Sequence, residues 1–491
     1  EAASLGDAPL VAVVLDEPAY PGTRPLGGAT TWWRERSLYA LAHDLADYGV
    51  ELIRATGDAR AEIPRLAAEL GATTVTWTRR YHGPLREVDA TVKETLTSQG
   101  ITATSSPGFT LVEPWEVTNG QGQPYKVFTP FSKAAASQVA GDEPEGVPEL
   151  GASASSAPAW PKPTEPAWAA SLAEHWTPGE AGARERLAQL DLTNYAEERD
   201  IPALNATSLL SPHLRFGEVS PREVWFAAAE EPEAAKFHSE LLWRDFAWHR
   251  LYHLPNLATE NVREKFDRFD WSWDDPRLKD WQAGTTGIPP VDAGMRELWA
   301  TGYMHNRVRM VVGSFLTKNL GIHWRLGEEW FWDTLVDADA ASNPFNWQWV
   351  AGCGDDAAPF FRIFNPLTQS RKFDAGGDYI RRFVPELARL PDKLIHAPWE
   401  ASETVLKKAG VTLGETYPKP IVDHDEALAL DHLAHRVELE PQAELAQRVR
   451  GLDERAAHVR VFHHALFKRD TGGLRVADRR GCARLRHRHD Q

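Results

Sequence analysis

The first hundred residues alternate short apolar runs with longer stretches of helical period. Leu10–Leu15 is apolar and rich in β-branched residues, the pattern of a buried parallel strand. Thr31–Tyr48 places Leu38, Leu41 and Leu45 on one stripe, which predicts a helix. Glu51–Ala55, Thr73–Trp77 and Ile101–Thr104 read as further strands, with helices at Ala59–Leu70 and Arg86–Gln99 between them. This alternation predicts an open, doubly wound, Rossmann-like α/β domain with a parallel sheet. The chain begins at Glu1 without a Met, and a first strand and helix are expected to be missing from this domain. Gly108–Ala136 is punctuated by Gly and Pro and reads as loop. Gly141–Pro178, rich in Pro, Ala, Ser and Glu, reads as a connection running over the surface.

From Pro178 the period turns helical, with helices expected at Gly182–Asp191, Asn194–Asp200 and Phe237–Tyr252, and a less regular stretch after Pro391. The expected organisation is an α/β domain over 1–135, a linker over 136–177, an all-helical domain over 178–435 and a disordered tail over 436–491. The tail is Arg- and His-rich to its end, so metal binding is a weak reading there. Glu240, Trp243 and Arg244 share one helix face, as do Asn306 and Met310. An ion pair beside a packed ring is the simplest account of the first set. Thr207, Ser208 and Ser211 cluster hydroxyls ahead of Pro212, and two accounts stay open: helix capping or a cradle for phosphate. The densest stretch, Tyr303–Gln369, carries five tryptophans and the acids Asp337 and Asp339, a mixture suited to a large planar ligand.

Length, at 491 residues, adds the expectation of two or three domains. Most of the 20 tryptophans are expected in the core. Two cysteines exclude a disulfide framework and point to a reducing cytoplasm. No apolar run reaches membrane-spanning length, and no signal peptide is visible. A net charge of −16 argues against a wholly basic nucleic-acid binder, yet leaves room for a local basic face among the Arg and Lys residues from Arg244 to Arg325. There is no Walker A loop, GxGxxG, GxSxG or HExxH, which removes the usual routes to nucleotide hydrolysis, dehydrogenation, serine hydrolysis and zinc proteolysis.

The motifs TSLLSPHLRFGEVSPR, ELLWRDF, TGIPPVDAGMREL, YMHNRVRM, VDADAASNPFNWQW and FRIFNPLTQ, in this order, resemble the DNA photolyase/cryptochrome family, and within it the class I cyclobutane pyrimidine dimer photolyases. PYKVFTPF in the first domain is similar as well. The resemblance implies a deoxyribodipyrimidine photo-lyase, a monomer acting on damaged DNA in the bacterial cytoplasm at the nucleoid. Its helical domain would hold FAD, reduced and anionic in the active form. Tyr195, Thr207, Ser208, Leu209, Leu210, Ser211, Arg244, Arg309, Asp337, Asp339 and Asn343 match flavin-binding positions, with Arg309 paired to Asp337 and Asn343 facing flavin N5. A neutral amide there suits an anionic ring, and plant-type cryptochromes have an acid instead. Glu240, Trp243, Asn306, Arg307, Met310 and Trp349 match the wall that receives a flipped dimer; Arg199, Arg307 and Gln369 match DNA contacts. Glu240 is expected to hydrogen-bond the dimer and stabilise its radical anion, acting protonated or sharing a proton, which burial would assist. Trp347, Trp324 and Trp271 match the electron-transfer chain, Trp271 being preferred to Trp273 for its spacing from Trp281.

Some positions depart from the family pattern. Phe345 and Asn346 replace two glycines, Tyr303 replaces a common Trp, and YHGPLREVD lacks the Asn-Glu pair of folate-antenna relatives. A deazaflavin antenna, a folate-type one or none stays open. The competing functional readings are a cryptochrome-like blue-light photoreceptor signalling through a protein partner, and a damage-binding module without catalysis. Asn306 and Met310 in place of histidines speak against the (6-4) photoproduct, and His305 reads as structural.

Overall fold

A computed structural model describes residues 10–139, 160–356 and 363–422. Four strands and three helices alternate at its start: β1 (Val11–Asp16), α1 (Gly28–Asp47), β2 (Glu51–Thr56), α2 (Ala59–Glu69), β3 (Thr74–Thr78), α3 (Gly83–Ser98) and β4 (Thr102–Ser106). All pairing is parallel, as the helical crossovers require. The strands form two separate ladders. Val11 pairs with Glu51 through Asp16 with Thr56, and Thr74 pairs with Thr102 through Thr78 with Ser106. The expectation of one open sheet is corrected to two small ones. Periodicity locates a strand but is silent about which neighbour takes each edge. Val11 and Val13 remain exposed on β1.

Helices dominate from α4 (Phe128–Val139) onward. The loop expected over Gly108–Ala136 therefore ends at Val127, because FTPFSKAAASQV buries Phe131, Ala135 and Val139 along one stripe. The expected linker is helical in its last turns, at Ala167–Ala169 and α5 (Ala170–His175). Then come α6 (Glu180–Ala188), α7 (Tyr195–Glu198), α8 (Ser211–Phe216), α9 (Pro221–Ala227), α10 (Ala234–His253), α11 (Arg277–Ala283), α12 (Pro289–Thr301), α13 (Asn306–Ser314), α14 (Trp324–Thr334), α15 (Ser342–Ala351), α16 (Pro366–Phe373) and α17 (Asp378–Phe383). A π turn at Phe315–Asn319 continues α13. The tail expected to be disordered lies outside the described residues, as does Cys482. Among the described residues no helix is long and apolar enough to cross a membrane.

Two large apolar clusters carry the fold. One lies among α11 to α15 around Trp281, Phe315 and Trp324. The other surrounds α10 and takes Tyr81, Leu111 and Phe131 from the first part of the chain, so the two parts share a core. Buried polar groups fix that contact. Asp245 on α10 accepts from the backbone N–H of Leu111 (2.7 Å) and Val112 (3.1 Å). Trp33, fully buried on α1, donates to Glu218 at 2.8 Å.

Burial pushes the Asp245 carboxyl up to about 7, although Arg244 and the two N–H groups act in the opposite direction. Its folded pKa stands above the unfolded one. The stability tied to it is therefore full below the ordinary aspartate range and is lost as pH rises through about 7. Asp245→Asn removes that titration while keeping an acceptor for both N–H groups. The melting temperature of the variant minus that of the parent is expected to increase from pH 4 to pH 8; a difference independent of pH would show that Asp245 titrates normally.

Candidate functional site

The helical part encloses a cavity of about 430 Å³, lined by residues from α7, α8, α10, α13, α14 and α15 and the segments between them. One wall is the hydroxyl-rich segment Thr207–Ser211. Its hydroxyls do not cap α8, whose first turn has no side-chain cap. Instead Ser211 Oγ donates to Asp337 Oδ2 at 2.7 Å, and Leu209 is held at φ +53°. Such a backbone costs about 1–3 kcal/mol for a non-glycine residue and is kept where surrounding contacts fix it.

Asp337 accepts a second bond on the same oxygen from Arg309 at 2.9 Å, and Asp337 Oδ1 is buried without a partner. Asp339 caps the turn into α15 by accepting from the N–H groups of Ala341 (2.7 Å) and Ser342 (2.5 Å). Arg244 donates to the carbonyls of Phe109 (2.7 Å) and Leu214 (3.3 Å). Deeper in, Asn343 Nδ2 donates to the backbone oxygen of Glu328 (3.0 Å) and to its carboxylate (2.8 Å). Both amide hydrogens are thereby used, and Oδ1 is the atom left for the cavity.

The opposite wall holds Glu240, Trp243, Asn306, Met310 and Trp349. Glu240 stands among charges. It forms ion pairs with Arg199 and with Lys236 (3.1 Å), so cations rather than apolar groups surround its carboxylate. Trp243 stacks on Phe128 at 3.6 Å with the rings 7° apart and lines the cavity beside Phe345. The unexpected Phe345 packs edge-on to Phe246 at 5.5 Å and lines the same cavity. Arg307 and Gln369 stand apart from it. They border a smaller depression of about 30 Å³, where Arg307 pairs with Asp200 and lies 4.3 Å over the Phe373 ring. His305 caps α13 by accepting from the Arg307 N–H at 3.2 Å, and burial lowers its pKa to about 4.

The three tryptophans of the expected chain lie on one side of the cavity. Trp347 lines it and packs on α14 so closely that a Cβ at Gly327 would stand 2.2 Å from the Trp347 ring. Trp324 is one turn away on the same helix and donates to Asn261 at 2.8 Å. His323 bridges Trp324 (5.6 Å) and Trp271 (5.4 Å), and Trp273 also stacks on it at 3.9 Å. Trp281, noted in the sequence only for its spacing, has a buried ring 6.1 Å from Trp347. The sequence reading missed Glu328. The available signal was a lone acid on the buried stripe Trp324, Gly327, Glu328, Phe331 of α14.

Two family models match the chain. Residues 237–434 match the FAD binding domain of DNA photolyase, and residues 1–150 match the DNA photolyase family. The chain is 49% identical to a deoxyribodipyrimidine photo-lyase of Agrobacterium fabrum, over 82% of this chain and 88% of that protein. It is 37% identical to cryptochrome-1 of Arabidopsis thaliana, over 88% of this chain and 67% of the relative. A crystal structure of a bacterial class III photolyase from Agrobacterium tumefaciens superposes with a TM-score of 0.81, at 47% identity, over 88% of this chain and 92% of that one.

The cavity suits FAD. Its volume lies in the range of about 300–1,000 Å³ usual for ligand sites. Aromatic walls at Phe345 and Trp347 suit a planar ring, and the orphaned Asp337 Oδ1 awaits a donor. Asp337→Ala removes that acceptor and strands Arg309. Flavin affinity is expected to fall about tenfold or more, the worth of one charged hydrogen bond. Flavin absorbance per protein after gel filtration measures it; unchanged retention would remove Asp337 from the binding set.

Proposed function

The chain belongs to the photolyase/cryptochrome family, and on that premise we propose how its residues carry out light-driven repair of cyclobutane pyrimidine dimers in DNA, the activity of a deoxyribodipyrimidine photo-lyase. One observation carries the reading. A single cavity brings the dimer-facing set (Glu240, Trp243, Asn306, Met310) against the flavin-facing set (Asp337, Asp339, Asn343). A cofactor and a flipped base seated there would be in direct contact. The bound group supplies the chemistry: light-driven transfer and return of one electron, under which the two cyclobutane C–C bonds open with no net redox change.

The protein's own residues bind and orient. Thr207–Ser211, Arg244, Arg309 and Asp337 hold the cofactor. Trp243 presents its ring to the extruded dimer, and Trp349 closes the other side. Glu240 and Asn306 hydrogen-bond the dimer, while Met310 excludes water. Arg199 and Arg307 meet phosphates after releasing Glu240 and Asp200, and Gln369 stands beside Arg307 at that surface. Affinity should then fall steeply with salt. Trp271, Trp324 and Trp347 relay an electron to an oxidised cofactor, with His323 between the outer two rings.

Further assignments rest on similarity. The identity to the class III photolyase supports class III over class I. The bacterial photo-lyases among its relatives support action in a bacterial cytoplasm, where the proposed form is a monomer at the nucleoid. The proposed organisation is an α/β domain over 1–135, a linker over 136–177 and a flavin domain over 178–435; the family matches cover 1–150 and 237–434. The similarity to cryptochrome-1 supports a photoreceptor as the second reading, which the uncharged Asn343 disfavours.

Reduced protein illuminated with a dimer-containing oligonucleotide is expected to restore thymines only in the light; no light-dependent restoration would sink the repair reading. Trp347→Phe should block photoreduction of oxidised protein while pre-reduced protein repairs normally. Equal loss of both would remove Trp347 from the electron chain. Arg307→Ala should weaken DNA binding and lower the slope of log K against log salt by about one, read by fluorescence anisotropy.

A further inference from the structure

We infer that Phe128, at the start of α4, is a positioning residue for the lesion: its ring holds the Trp243 indole in the plane that meets a base extruded into the cavity. The inference rests on the dimer reading of that cavity. Phe128 does not line the cavity and acts on it through Trp243, which does. The two rings are parallel to within 7°, with centroids 3.6 Å apart. Among the described residues two other aromatic rings stand near the indole, and neither is parallel to it. Phe246 lies edge-on at 6.0 Å, and Phe345 is tilted by 47° at 6.5 Å. Edge contacts at that range let the indole rock about its Cβ–Cγ bond, whereas a plate lying against one face does not. The face that Phe128 covers is closed to a ligand, so a base in the cavity meets the rest of the indole.

Extruding a base forfeits its stacking in the duplex, and an aromatic wall returns part of that loss. The return is largest when the wall already lies at the right angle, because ordering a mobile side chain on binding costs affinity. Undamaged DNA keeps its bases stacked and does not enter the cavity. The Phe128 stack therefore bears on the preference for damaged DNA, and not on the phosphate contacts of Arg307.

α4 is held on α10 by contacts independent of the Phe128 ring. Phe131, fully buried, lies 5.0 Å from both Phe246 and His249. Ala135 and Val139 continue the same buried stripe. The backbone N–H of Phe128 donates to Asp356 Oδ2 at 3.3 Å, a bond in which the ring takes no part. Replacing the ring therefore leaves the helix docked and removes the stack alone.

The test uses fluorescence anisotropy on holoprotein in the dark, comparing an oligonucleotide that contains one cyclobutane dimer with the same oligonucleotide undamaged. Phe128→Leu keeps apolar bulk without a plane. Its affinity for the dimer oligonucleotide is expected to fall about threefold to tenfold, the worth of one aromatic pair, with affinity for the undamaged one unchanged. Phe128→Tyr keeps a ring for the stack and should show the wild-type preference. Flavin retained per protein should be equal in all three. Unchanged dimer affinity in Phe128→Leu overturns the inference. A loss shared by both oligonucleotides, or a loss of flavin, also overturns it, because a loosened fold gives either. A Phe128→Tyr protein as weak as Phe128→Leu does the same. If the wild type itself shows no preference for the dimer oligonucleotide, the repair reading of the cavity falls, and this inference with it.

Discussion

Buried polar groups that find partners only across the two parts of the chain are the constraint on which the rest depends. Asp245 needs the Leu111 and Val112 N–H groups, Trp33 needs Glu218, and Glu328 needs Arg24. An unmet buried donor or acceptor costs about 1–3 kcal/mol, and more when charged. Apolar contact would tolerate sliding, whereas these bonds do not. They hold α10 and α14 at fixed places against the α/β part. Both helices are walls of the cavity, so the same bonds define its shape.

A fixed frame permits an unusual interior. The cavity is large and lined by charged groups, a combination that would collapse or fill with water in a less rigid core. Each charge has a partner that leaves one atom free. Asp337 spends one oxygen on Ser211 and Arg309 and keeps the other. Asn343 spends its NH2 on Glu328 and keeps its carbonyl. Arg199 and Arg307 are in turn paired with the carboxylates of Glu240 and Asp200. This arrangement gives the site a preference before any ligand arrives.

Much of the site was legible because its residues sit at helical spacing. Glu240, Trp243 and Arg244 share a face of α10 and all reach the cavity; so do Asn306 and Met310 on α13. Motif resemblance supplied the rest of the set, including the pairing of Arg309 with Asp337. Other features were not legible. Arg24 and Glu328 are about three hundred positions apart, and nothing local marks them as partners. The Phe128 ring on Trp243 belongs to a helix that read as loop, because Gly and Pro run up to it and Pro130 sits in its first turn. Helical spacing offered Arg244 as the cation beside Glu240, whereas Arg199 and Lys236 pair with it.

The sequence by itself determined the elements and the chemical class. Strand-and-helix alternation dictated an α/β part, helical period dictated the helical part after it, and ordered motifs tied both to a light-driven flavoprotein family. These are local properties, written in spacing and residue type. Only the tertiary structure decided how strands divide into two ladders, which carboxylates neutralise which arginines, and which end of the Asn343 amide faces the cavity. Those depend on groups far apart in sequence meeting in a medium of low dielectric, where a single partner decides protonation and orientation. The aromatic stretch Tyr303–Gln369 names most of the site, and Arg24, some three hundred residues earlier, reaches Glu328 within it.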